Sequence, residues 1–211
     1  MNNWKQFSKM HMDILKEIGN IGAGHAATSL SSLLQKPVEM KVPDARLVSF
    51  NEISERLGGA EQVVVTTLLT IQGDVTGYMF FILQQDGAKR LIHSLLNQEE
   101  ADSCNELHLS AVQEVGNILS GSYLSALADL TGLNIQPSVP EVAIDMAAAI
   151  LSYGLLEVGK VGDHALVIDT CFYDRPGQER PIEGHFFLLP DPDSFSILFQ
   201  ALGVTEHDKG D

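Results

Sequence analysis

Lysine and arginine are scarce in this chain. There are 13 of them in 211 residues, against 28 aspartates and glutamates, for a formal net charge of −15 at pH 7. No run of basic residues exists. A field of that sign repels phosphate backbones and anionic lipid, so nucleic acid and the membrane surface are set aside as partners. Cysteine is almost missing. Cys104 and Cys171 stand 67 positions apart, in no metal or redox spacing, so reduced thiols of a cytoplasmic protein are expected. Long apolar runs are missing as well. The stretches 63–71 and 79–83 fall far short of the ~20 residues of a spanning helix, and the first residues lack the apolar core of a signal peptide. A cytoplasmic chain without membrane insertion is the expectation.

Several catalytic signatures are also missing. Seven histidines are scattered without an H-E-x-x-H or other ligand spacing. Asp163, Asp169, Asp174, Asp191 and Asp193 lack the loop glycine and spacing of an EF-hand. No G-x-S-x-G elbow occurs. No metal site and no cofactor of the chain's own are expected.

What is there is an ordinary globular composition, 45% hydrophobic and 19% charged, in a chain long enough for one sizeable core. Two glycine-rich stretches stand out, "EIGNIGAGHA" from Glu17 and "EVGNILSGSY" from Glu114. They align with an offset of 97 residues. Asp13 then meets Ser110, Glu17 meets Glu114, Gly19 meets Gly116, Asn20 meets Asn117, Gly24 meets Gly121 and Pro43 meets Pro140. A later match, "GYMFFIL" from Gly77 with "GHFFLLP" from Gly184, needs an offset of 107. The extra residues fit an enlarged loop around "YDRPGQERP". Two copies make a duplicated domain rather than a solenoid. Residues 1–211 are read as one domain built from repeats at about 5–100 and 105–205.

Each repeat carries the same plan. A long helix (about 5–34, and 107–130) leads through a short strand to the Pro. A second helix follows. "SFNEISERL" opens with the Ser49-to-Glu52 spacing of a capping box, and "EVAIDMAAAILSYGLLEV" is read as its longer counterpart. A hairpin of β-branched and aromatic runs comes next (62–72 with 76–84, and 163–173 with 183–190). A final helix closes each half, near 86–96 and 194–202. The fold class is α+β: a duplicated pseudo-two-fold domain, with a six-stranded, mostly antiparallel sheet packed against two long helices and shorter ones.

The glycines do not make a phosphate loop. A dinucleotide fingerprint is G-x-G-x-x-G after a strand, and a P-loop ends in G-K-[ST]. Here the order is G-x-x-G-x-G inside a helical pattern. On a helical wheel Leu15, Ile18, Gly19, Gly22, Ala26, Leu30 and Leu33 share one side. Their counterparts are Val112, Val115, Gly116, Leu119, Tyr123, Leu127 and Leu130. The opposite side holds Asp13, Glu17, Asn20, Gly24 and Thr28, and Ser110, Glu114, Asn117, Gly121 and Ser125. An interior glycine costs a helix ~1 kcal/mol relative to alanine. Gly24 and Gly121 lie on the polar side, where packing does not require them, and leave room for something to approach beside the Asn.

Glu and Asn three apart on a helix are surface neighbours, ~5–6 Å apart at Cβ. The carboxylate can grip a partner's lysine. The carboxamide offers a donor and an acceptor but no proton to exchange, so it suits holding a water, which is most of what a loose phosphoryl-transfer transition state requires. One such pair would be an ordinary solvated helix face. Two in register, each with Asn in mid-helix and Pro at equal distance, ask for a function.

These stretches resemble the CheC/CheX/FliY family of chemotaxis phosphatases. The family signature Asp/Ser-x3-Glu-x2-Asn-x22-Pro is met by Asp13, Glu17, Asn20 and Pro43, and again by Ser110, Glu114, Asn117 and Pro140. Two intact copies without an added domain look like the CheC branch. The resemblance implies hydrolysis of the aspartyl phosphate of the response regulator CheY. Glu17 and Glu114 would salt-bridge a lysine of the regulator, Asn20 and Asn117 would position the attacking water, and Asp13 and Ser110 would line the docking surface. Pro43 and Pro140 would be structural, and Mg²⁺ would belong to the regulator. A second implied partner is the receptor deamidase CheD, with "AIDMAAAILSYG", read as an Ala-rich helix with Asp145 near its start, as the expected contact. A non-catalytic adaptor and a flagellar-switch component are the alternatives. A monomer is expected, because a duplicated chain supplies internally what a homodimer supplies between subunits.

Overall fold

The computed structural model describes residues 9–96, 105–158, 164–173 and 180–203. Cys104, residues 5–8 of the expected first helix and most of the enlarged loop lie outside them. The described elements run α1 (Lys9–Leu34), β1 (Glu39–Ser49), α2 (Phe50–Arg56), β2 (Val63–Gly73), β3 (Gly77–Gln84) and α3 (Gln85–Leu96). They continue α4 (Glu106–Thr131), β4 (Ile135–Pro137), β5 (Glu141–Met146), α5 (Ala147–Val158), β6 (His164–Tyr173), β7 (Ile182–Pro190) and α6 (Pro192–Ala201). The capping box at α2 forms as its spacing predicts: the Ser49 hydroxyl accepts from the Glu52 N–H and the Glu52 carboxylate accepts from the Ser49 N–H.

The apolar runs of β3, β6 and β7 are continuous because both faces of the sheet are covered, so successive side chains enter opposite cores. Met79, Phe81, Leu166, Ile168, Phe186 and Leu188 meet Leu15, Ile18, Val112 and Leu119 of the long helices, with Leu91 of α3 and Leu198 of α6. Phe80, Ile82, Ala165, Val167, Phe187 and Leu189 meet Ile53, Leu57 and Ile150 around α2 and α5. The result is three layers, with α1 and α4 paired across one face.

Every strand pairing is antiparallel. The order is β1-β6-β7-β3-β2-β4, with β5 also on β2. β4 and β5 occupy one edge in succession, Ile135 to Pro137 opposite Gly73 to Ile71 and Glu141 to Met146 opposite Leu68 to Val63. Together they are the counterpart of β1. Each half therefore lends its first strand to the other's hairpin, β1 to β6 and β5 to β2. The pseudo-two-fold passes between β3 and β7.

Three expectations are corrected. Residues 141–146 are a strand, not the first turns of a helix. The alanine run invites a helix, but the open edge of β2 gives these residues backbone partners, and the helix starts at Ala147. The strand at each Pro also does not stop there: β1 passes through Pro43 to Ser49, and β5 resumes after Pro140. The buried stripe is shorter than the wheel implies. Leu33 and Leu130 are about half exposed, at 49% and 52%, because a wheel gives a residue's bearing but not where the neighbouring surface ends.

Under the sheet on the α2 side, Asp169 of β6 ties the exchanged strand in place. Its carboxylate accepts from Arg46 of β1 at 3.0 Å and Arg56 of α2 at 3.1 Å, and lies 2.7 Å from His185 Nδ1. Burial pushes this carboxyl up, but the His185 hydrogen bond and the nearby His185, Arg56 and Arg46 charges outweigh it and hold the group below its ordinary value.

The helix glycines divide by what surrounds them. A Cβ on Gly22 would lie 2.9 Å from the Tyr123 backbone, and one on Gly116 would lie 2.5 Å from Thr67 Oγ1 and 2.8 Å from Thr67 Cβ. Around Gly24 and Gly121 nothing lies within 4 Å. Gly116→Ala is expected to cost about 1–3 kcal/mol through overpacking, whereas Gly24→Ala should gain up to ~1 kcal/mol of helix propensity. Urea unfolding of the two variants checks the contrast.

Candidate functional site

The long helices are held from below. Gly19 sits over the β1–β6 pair, where its missing Cβ would be 3.2 Å from Val42 and 3.4 Å from Ile168. Gly116 sits over Thr67 of β2. In the middle, Gly22 lets α1 close on Tyr123 of α4. The Tyr123 hydroxyl reaches through to Thr170 of β6 at 3.1 Å, and burial drives its pKa up to about 12. With this seam facing inward, the polar stripe of each helix must face outward.

Asp13, Glu17, Asn20 and Gly24 are exposed along α1, and Ser110, Glu114 and Asn117 along α4, with Gly121 partly exposed. Among the described residues no hydrogen bond or ion pair engages the Glu17 or Glu114 carboxylate. The Ser110 hydroxyl donates to the Glu106 carbonyl at 2.8 Å. The stripes lie on one face of the molecule. One is beside the β1 edge of the sheet and the other beside the β4–β5 edge.

The signature prolines shape those edges. Between Lys41 and Asp44 the β1 register slips against Cys171 and Asp169, three steps on one strand against two on the other. Pro43, which has no N–H to give to β6, occupies this bulge. Pro140 lies in the break between β4 and β5. Each interruption turns a piece of edge backbone toward the helix above it.

The two sites differ there, which the sequence did not indicate. In the first, the Val42 N–H donates to Asn20 Oδ1 at 3.2 Å, and Asn20 Nδ2 donates to the Lys16 carbonyl at 3.1 Å. The catalytic candidate is tied down by its own molecule. In the second, Gln113, the counterpart of Lys16, donates to the Pro140 carbonyl at 2.6 Å. The Asn117 carboxamide has no hydrogen-bond partner among the described residues. The signal for this difference was the Lys16/Gln113 mismatch, but its effect depends on a strand twenty-odd residues away.

Asp145 does not join either stripe. It lies exposed on β5 opposite Val64, with Oδ1 accepting from the Met146 N–H at 2.7 Å. The expected helical position is thus corrected to an edge strand, because the pairing with β2 takes these residues. Ala147 is buried and Ala148 exposed, so the alanine run serves packing and surface together.

Among the described residues no group of three or more His, Cys, Asp or Glu side chains could hold a metal ion, and no helix is long and apolar enough to cross a membrane. The stripes contain no nucleophile paired with a base. What they offer is an anion to grip a cation and, beside it, a rigid amide with open space next to it.

Comparison with known proteins gives a consistent picture. The profile of the CheC-like family matches residues 10–46 and 107–144, two segments whose starts differ by the repeat offset. The chain is 46% identical over 209 residues to the CheY-P phosphatase CheC of Bacillus subtilis, covering 97% of this chain and 100% of that protein. Among solved structures it resembles FliY of Thermotoga maritima, with a TM-score of 0.72 at 20% identity, covering 93% of this chain and 98% of that one. It also resembles CheX of Desulfovibrio desulfuricans, with a TM-score of 0.51 at 18% identity, covering 82% and 99%. The two structural likenesses bear on the fold alone.

Proposed function

The chain belongs to the CheC-like family, and on that premise we propose that it is a phosphatase of the phosphorylated chemotaxis response regulator CheY-P. The observation that carries the reading is the pair of outward Glu-x-x-Asn stripes, Glu17 with Asn20 and Glu114 with Asn117, each beside a glycine where an added Cβ would meet nothing within 4 Å. Glu17 or Glu114 grips a lysine of the regulator. Asn20 or Asn117 enters the phosphorylated pocket and holds a water in line with phosphorus. The water oxygen bonds to phosphorus as the aspartyl oxygen–phosphorus bond breaks. The regulator's carboxylate leaves, and the water's proton goes to the departing phosphate. The amide exchanges no proton. Mg²⁺ is supplied by the regulator. Asp13 and Ser110 line the docking surface, and the enzyme works in the cytoplasm as a monomer.

A receptor deamidase of the CheD type is the proposed second partner. Its contact is the corner where β5 meets α5, with Asp145 on the strand and Ala148 exposed on the helix. The competing reading, an adaptor that binds without catalysis, predicts no phosphate release.

The test is loss of phosphate from phosphorylated regulator. Acceleration over the spontaneous rate supports the phosphatase, and none overturns it. Glu17→Lys with Glu114→Lys should weaken regulator binding by about tenfold or more, because each reversal sets like charges face to face. Titration of the phosphorylated regulator checks this, and an unchanged affinity would remove the carboxylates from docking.

A further inference from the structure

The two sites stand on opposite electrostatic grounds. Residues 1–96 carry nine Lys or Arg and nine Asp or Glu, while residues 97–211 carry four and nineteen. The whole net charge of −15 therefore belongs to the second half. The contrast extends to the sites. No Lys or Arg occurs between Arg90 and Lys160, and that span holds all of α4, β4, β5 and α5. The first site is mixed. Along α1, Lys9 precedes Asp13 and Lys16 stands between Asp13 and Glu17, and Lys41 on the neighbouring edge strand pairs with Glu39 at 3.0 Å. Their counterparts in the second site are Glu106, Gln113 and Ser138. Each cation of the first site is thus replaced by an acid or a neutral group; two acids are replaced as well, Asp13 by Ser110 and Glu39 by Gln136, so these six positions (9, 13, 16, 17, 39 and 41 against 106, 110, 113, 114, 136 and 138) sum to 0 in the first site and −2 in the second, with the Glu and Asn unchanged.

We propose that the second site recruits its partner by charge and the first does not: Glu106, Glu114 and the cation-free elements around them form a selectivity device for a cationic docking surface. This rests on the phosphatase reading above. The physical argument is local. A partner lysine approaching Glu114 meets no competing ammonium from α4, β4 or β5. A partner lysine approaching Glu17 meets Lys16 on the same helix, one turn from both Asp13 and Asn20. Unscreened fields of one sign raise encounter rates, and this gain disappears as salt shortens the Debye length from ~10 Å at 0.1 M to ~3 Å at 1 M.

The experiment uses the full chain with one site disabled at a time. Asn20→Ala leaves the second site and Asn117→Ala leaves the first. For each, kcat/KM toward phosphorylated regulator is measured from about 50 to about 500 mM NaCl, with spontaneous hydrolysis subtracted. The second site alone should lose about fivefold or more across that range, and the first alone less than about twofold. Adding Glu106→Lys and Gln113→Lys to the Asn20→Ala protein should flatten its salt response, with circular dichroism confirming the fold. Equal slopes, a rise with salt at the second site, or no change on adding the two lysines overturns the proposal. If the Asn20→Ala, Asn117→Ala double variant keeps full activity, the assignment of catalysis to the two amides falls and this inference with it. If the double variant is inactive and the slopes are equal, only the inference falls.

Discussion

Replacing both Asn20 and Asn117 with alanine should bring phosphate release from the regulator down by about a hundredfold or to the spontaneous rate, since the oriented water is the site's main contribution. The single variants should differ. Asn20 must give up the hydrogen bond from Val42, 3.2 Å away, before it can reach into another protein. A net intramolecular hydrogen bond is worth ~1 kcal/mol, or about a fivefold handicap for the first site. Asn117 has no such bond to break among the described residues. Asn117→Ala should therefore keep about one sixth of the activity and Asn20→Ala about five sixths. Single-turnover assays under one set of conditions decide the order. A first site that proves the faster would mean that the Val42 bond positions the amide instead of restraining it. In that case the bond pre-organises the site, and the asymmetry has the opposite sign.

The second large effect concerns space. Gly24 and Gly121 have nothing within 4 Å of where a Cβ would be, so a side chain added there starts in open space. Gly24→Trp together with Gly121→Trp should leave the unfolding midpoint near or slightly above that of the parent, because each glycine removed from a helix interior recovers some propensity. The same side chains would stand beside Asn20 and Asn117, one turn along the helix, and hold the regulator off. A displacement of about 1 Å at a reacting centre can cost ~10²-fold, so kcat/KM should fall by about a hundredfold. Wild-type turnover in this double variant would show that nothing docks along the helix stripe and would move the functional site elsewhere. Gly116 and Gly22 are the internal control, since substitution there acts on stability through Thr67 and the Tyr123 backbone.

These expectations differ in how far they could be read from the chain alone. The stripe was fully legible: Asp13, Glu17, Asn20 and Gly24 recur with helical spacing, and the repeat at Ser110, Glu114, Asn117 and Gly121 excluded coincidence. The buried side was legible up to Leu30 and Leu127 but not beyond. The β5 strand was misread, because six residues before an alanine run have no local reason to prefer an edge over a helix. The Asp169 network and the Asn20 latch were invisible, as each joins residues far apart in sequence: Asp169 with Arg46 and Arg56, and Asn20 with Val42.

The amino-acid sequence by itself determined the duplication, the two long helices and which side of each carries the Glu and Asn, because helical bearing is set by a geometry that repeats every few residues. Only the tertiary structure decided that each half lends a strand to the other, that Pro43 and Pro140 interrupt the sheet edges beneath the stripes, and that one amide is tied to Val42 while its twin has no hydrogen-bond partner among the described residues. Those outcomes depend on which backbone donors and acceptors remain unpaired once distant segments have met, and no local pattern of side chains records that.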